Sequence, residues 1–106
     1  MKNKIKNKIA RLYKIDGVII DIKPQNGKTF SLKELQGYVG GTIDIQELPK
    51  MGALLVLNDN GKCEGLPENP VATILWKMNY PIKEYPENND ELVVGDVVIC
   101  TKNYIK

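Results

Sequence analysis

The chain has 106 residues, 42% of them hydrophobic and 26% charged, with a formal net charge of +2. That is the length of one domain and the balance of a globular one, which argues against wholesale disorder. The longest apolar stretches, at 53–57 and 97–100, are strand-sized and far short of the roughly 20 residues of a membrane span, so no membrane partner is expected.

The Lys-rich start runs into residues 9–15 without the apolar run of a signal peptide, and a cytoplasmic location is the expectation. Residues 1–14 carry Lys2, Lys4, Lys6, Lys8, Arg11 and Lys14 and no acid. Of the 15 basic residues, nine remain for the rest of the chain against all 13 acids, a body of about −4. Residues 1–8 are read as a basic arm on an acidic domain formed by residues 9–106. Such an arm either solubilises the chain or touches nucleic acid.

The first elements form a hairpin. Residues 9–15 and 18–23 are rich in β-branched and aromatic side chains, and Asp16-Gly17 between them signals a two-residue type I′ turn. Ile5, Ile9 and Leu12 also fall at helical spacing, which leaves an N-terminal helix as the rival. Pro24-Gln25-Asn26-Gly27 then breaks the pairing.

Ser31 followed three residues later by Glu34 is a capping box, with Phe30 and Leu35 at the two staple positions. Leu32, Leu35 and Val39 make one apolar face and Gly40 supplies the left-handed stop, so residues 31–39 are predicted helical. In residues 42–48, Ile43 and Ile45 alternate with Asp44 and Gln46, the pattern of a half-buried strand. Residues 53–58 are more uniformly apolar and read as a central strand. After the turn at Asp59-Asn60-Gly61, Asn69 can cap and Pro70 can open a helix over residues 71–78. Residues 80–90 read as an exposed loop, and residues 92–94 and 97–102 as strands about the Gly95-Asp96 turn. The predicted class is α+β: a mainly antiparallel sheet of four to six strands with one or two short helices, in the order β-β-α-β-β-α-β.

Catalytic options are few. The chain has no histidine, which excludes Ser-His-Asp, Cys-His and His-based metal arrangements. Ser31, the one serine, is explained by its capping role. Cys63 and Cys100 form no C-x-x-C pair and read first as small packing groups, with a disulfide as the alternative. The carboxylate pairs Asp44 and Glu47, and Asp90 and Glu91, fall on positions read as exposed strand or loop. Phosphate-loop and dinucleotide fingerprints are absent. The expectation is a protein without catalytic machinery, metal or cofactor.

The stretch from Asn58 to Pro70 gathers amides, glycines and a lysine before the positively polarised start of a helix, which attracts anions. The candidate ligand-binding residues are Asn58, Asn60, Lys62, Asn69, Trp76 and Lys77. In this reading a planar group stacks on Trp76 while Lys62 or Lys77 meets a phosphate. Turn and cap geometry use the same residue types for purely structural reasons. Tyr80 and Tyr85 are candidate anchors for a protein partner.

The segments Leu32-x-x-Leu35-Gln36-x-x-Val39-Gly40-Gly41-x-Ile43, Leu55-Val56-Leu57-Asn58-x-Asn60-Gly61-Lys62, Gly65-Leu66-Pro67-x-Asn69 and Val94-Gly95-Asp96-Val97-Val98-Ile99 together resemble a domain family of unknown function found in bacteriophages and mobile elements. The resemblance covers the chain from about Ile9 onward and implies an accessory protein acting in the cytoplasm of a bacterial host, with no assigned activity. Three functions are compatible with it. The first is a counter-defence protein, expected to be a homo-oligomer, that sequesters a nucleotide-derived signalling molecule. The others are an inhibitor of a host defence enzyme and a nucleic-acid-binding protein using the basic arm.

Overall fold

The structure is a computed structural model that describes residues 8–80 and 92–105. Among these residues five strands form one antiparallel sheet and two α-helices pack on it. The strands are β1 (Ala10–Tyr13), β2 (Ile19–Asp21), β3 (Ile43–Leu48), β4 (Ala53–Asn58) and β5 (Val97–Thr101), and the helices are α1 (Leu32–Val39) and α2 (Pro70–Asn79). Their order along the chain is the predicted β-β-α-β-β-α-β. The spatial order is β2-β1-β5-β4-β3. β5 lies at the centre with all five residues buried, as its unbroken Val-Val-Ile-Cys-Thr run requires of a strand covered on both faces.

Each helix takes one face of the sheet. On the first, Leu12 of β1, Val56 of β4 and Val98 of β5 meet Phe30, Leu35 and Val39 around α1. On the second, Tyr13, Leu55, Val97 and Ile99 meet Ala72, with Leu75 and Trp76 of α2 packed beside them. Alternate residues of each strand serve opposite cores, the period-2 rule applied to a sheet covered on both sides.

Local signals account for α1. Ser31 Oγ accepts the Glu34 N–H at 3.0 Å and Glu34 Oε1 accepts the Ser31 N–H at 2.7 Å, closing the capping box. Gly40, at φ +81°, ends the helix, and its N–H donates to Gln36 O. Gly41 serves a different need. A Cβ there would stand 2.8 Å from Nδ2 of Asn58, so only glycine lets the chain pass β4 at this distance.

The first hairpin forms as strands, not as the rival helix, but its turn differs from the expected one. Tyr13 pairs with Ile19 and the Lys14 N–H donates to Val18 O at 2.9 Å, which leaves Ile15, Asp16 and Gly17 as a three-residue loop. Gly17 alone is left-handed, at φ +90°, and Asp16 keeps a negative φ. A type I′ turn needs both central residues at positive φ. Here the Gly17 N–H closes on Lys14 O, and Asp16 Oδ1 accepts the Val18 N–H at 3.0 Å. This is the type I turn followed by a left-handed glycine that three-residue hairpins use. Of predicted strand 92–94, only Val94 is bridged, to Glu68. Residues 1–7, most of the basic arm, and the loop 81–91 lie outside the described residues. Among the described residues no helix is long and apolar enough to cross a membrane.

Candidate functional site

Polar clasps set the position of α2. Asn69 is fully buried. Its Oδ1 accepts the Ala72 N–H at 3.2 Å, which caps the helix. Its Nδ2 donates to Tyr13 O and to Gly95 O, both at 2.9 Å, tying the cap to the end of β1 and to the turn before β5. One turn on, Thr73 Oγ1 accepts the Val93 N–H at 2.9 Å. At the far end, buried Asn79 donates from Nδ2 to Leu75 O and accepts the Lys50 N–H at 2.8 Å. Asparagines thus hold α2 at both ends, and the helix buries only Ala72, Thr73 and Asn79 fully.

The segment before α2 is locked onto the strand end that follows it. Leu66 packs where glycines make room: a Cβ on Gly95 would meet Leu66 Cδ1 at 2.8 Å, and one on Gly61 would meet Val94 Cγ2 at 2.9 Å. The Gly95 N–H donates to Pro67 O, and the Leu66 N–H to Gly61 O. Asn58 is buried in the same structure. Its Oδ1 accepts the Asn60 N–H at 2.8 Å, and its Nδ2 reaches Val39 O at 3.3 Å and Glu64 Oε1 at 3.4 Å.

Between α2 and strands β3 and β4 lies a cleft of about 450 Å³, within the range of small-molecule sites. Leu55 and Leu57 of β4 form apolar lining and partly buried Trp76 of α2 contributes an aromatic surface. Asp44 and Gln46 enter from β3, where their register partners are Leu57 and Leu55. Asp59, Lys62 and exposed Cys63 line it from the turn after β4, and Val93 and Val94 from the segment before β5. Trp76 is braced. The Tyr80 ring lies 4.3 Å from it between centroids, and Tyr80 Oη donates to Glu47 O on β3 at 2.7 Å.

Three of the six sequence-derived ligand candidates, Asn58, Lys62 and Trp76, come together as cleft lining. Asn69 sits beneath the surface with its hydrogen-bonding capacity turned inward. Asn60 is exposed on the turn, and its carbonyl accepts the Glu64 N–H. Lys77, half-buried on the last turn of α2, is not among the lining residues. Tyr80 acts on the site through Trp76, and Tyr85 lies outside the described residues. Asp44 and Gln46 were missed as site residues. Their alternation with Ile43 and Ile45 puts them on one face, a signal present in the sequence, but that face was read as solvent. Instead both are half-buried. Of the two thiols, Cys63 is exposed and Cys100 is buried, with burial pushing the Cys100 thiol up to about 11.

Fold and site together define a small α+β domain with an antiparallel sheet, a helix on each face and a ligand-sized cleft beside the second helix. The chain belongs to the family described as Domain of unknown function (DUF3846), whose pattern matches residues 14–104. The Lys-rich start lies outside that span. Comparison with curated proteins found no match, and neither did comparison with solved structures.

Proposed function

We propose that this chain is a non-catalytic binding protein that captures a small, planar, nucleotide-like molecule in the cleft beside α2. The observation that carries this reading is the setting of Trp76. The one tryptophan of the chain packs one side on the core and leaves part of its ring on the wall of a concave site, braced by Tyr80. A braced indole in a cleft offers a stacking surface whose ordering cost is met before any ligand arrives. The chain has no histidine, and among the described residues no group of three or more Cys, Asp and Glu is placed to hold a metal ion. Capture without chemistry suits an accessory protein that sequesters a nucleotide-derived signal, the role that the resemblance to phage and mobile-element proteins supports.

The test is a thermal-shift screen of the full chain against cyclic di- and trinucleotides, ADP-ribose and its cyclic isomers. Ligand at about 100 times its Kd stabilises the folded state by roughly 2.7 kcal/mol, a rise on the order of 10 °C for a domain of this size. A ligand-specific rise that Trp76→Ala abolishes is the expected result. Binding undiminished in Trp76→Ala would remove the basis of the reading.

A further inference from the structure

We infer that the cleft selects its ligand by a hydrogen-bonding edge of the guanine type, read by Asp44 and Gln46. This rests on the reading above, that a planar group stacks on Trp76. The two residues stand two apart on β3, so both project to the α2 side of the sheet, beside Leu57 and Leu55. They have closed on one another, with Gln46 Nε2 donating to Asp44 Oδ2 at 2.7 Å.

That contact sets the polarity of the wall. A carboxylate only accepts, so the amide must turn its nitrogen toward Asp44 and its oxygen away. Among the described residues neither group makes another side-chain hydrogen bond. The wall therefore presents carboxylate lone pairs, chiefly those of Asp44 Oδ1, next to the second N–H of the Gln46 amide. An edge carrying two adjacent N–H donors and then a carbonyl oxygen is its complement, and guanine offers that order at N2, N1 and O6. In that pose adenine sets its ring-nitrogen lone pair against the carboxylate. Turned over, it makes at most two bonds, its amino N–H donating to the carboxylate and its lone pair accepting the Gln46 N–H, and leaves one acceptor unmatched. A site that commits polar groups to one pattern rejects the analogue that leaves them unmatched.

Charge in the cleft agrees. Its described lining carries two carboxylates, Asp44 and Asp59, and a single basic residue, Lys62. A site that recognised its ligand mainly by phosphate would gather several cations. Here the base edge carries the selectivity.

The experiment is a fluorescence titration of the full chain with guanosine, inosine and adenosine. Trp76 is the only tryptophan, so its emission reports on the cleft. Guanosine is expected to bind at least tenfold more tightly than adenosine, with inosine, which lacks the 2-amino donor, in between. Asp44→Asn should erase the preference while leaving the thermal midpoint of the unliganded protein in place. The wild-type nucleoside series needs no variant and tests the inference even if Asp44→Asn folds poorly. Equal affinity for adenosine and guanosine, or a preference that survives in folded Asp44→Asn, would overturn the guanine-type edge and leave the cleft reading standing. If no nucleoside perturbs Trp76 and the wider thermal-shift screen is also silent, the cleft reading fails and this inference falls with it.

Discussion

The two faces of the sheet come from the same strands and carry similar cores, yet their helices are held in place differently. Against α1, the strands present Leu12, Val56, Val98 and Cys100 to Phe30, Leu35 and Val39. Apolar burial holds that helix, and its capping box was set locally. Against α2, the contacts that fix position are largely polar: Asn69 and Thr73 at the start, Asn79 at the end. A helix clasped at its ends need not bury a wide apolar stripe. Ile74 and Met78 stay exposed at 60% and 62%, and space remains between Trp76 and the polar positions of β3. The difference teaches how a sheet of this size can carry a site at all. Both faces carry a buried apolar core, and on the second the polar clasps of α2 leave room for a cleft beside it.

The comparison breaks most sharply at Asn69. Asn69→Ala removes the cap, worth about 1 kcal/mol, and leaves the carbonyls of Tyr13 and Gly95 without their donor; together the loss should be roughly 3–5 kcal/mol in urea unfolding. Asn69→Asp keeps the capping oxygen but points a carboxylate at those carbonyls, so it should not rescue. A loss within about 1 kcal/mol would show that α2 is held by something else.

A pair of truncations measures the two faces against each other. Leu35→Ala empties a site 3% exposed in the α1 core and should cost about 2–4 kcal/mol. Leu57→Ala, at the half-open cleft, should cost less than half as much, because solvent already reaches it. Equal losses would mean that the cleft is as closed as the core.

The smallest effect is at the α1 cap. Backbone hydrogen bonds from Ser31 and Gln25 hold the Glu34 carboxyl below its ordinary pKa of 4.5. With the folded pKa depressed, the contribution of this carboxylate is complete above the unfolded value and fades as pH falls through the folded one. Glu34→Gln should therefore lower the neutral plateau slightly, where the carboxylate's contribution is complete, and flatten the acid limb below pH about 4.5 so that the two proteins converge there. Ser31→Ala should cost about 1 kcal/mol at neutral pH.

Much of this was legible in the residues, and what was not has a physical cause. The α1 helix could be read because its capping box, staple and glycine stop lie within 11 residues, Phe30 to Gly40. Asn69 was legible as a cap, since that role needs only its neighbours. Its two donor bonds run to residues 56 and 26 positions away and depend on the packed fold. The turn at Asp16-Gly17 was misread because register decides turn type, and the pairing of Tyr13 with Ile19 lengthened the loop by one residue. The cleft is the clearest case. Asp44 and Gln46 could be placed on one strand face from their spacing, and Trp76 on a helix. Only the pairing of β3 with β4, and the seating of α2 on the opposite face from α1, bring them to one site.

The central claim is that the cleft is where ligand sits, and Cys63 on its lining gives a direct measurement. In the native protein an alkylating reagent should modify exposed Cys63 and spare Cys100, which is buried with its thiol pushed up to about 11. The measurement is the rate of Cys63 alkylation with and without saturating guanosine. A severalfold slowing in the wild type that disappears in Trp76→Ala is the predicted result. An unchanged rate at a guanosine concentration that raises the thermal midpoint would place the ligand elsewhere and contradict the account.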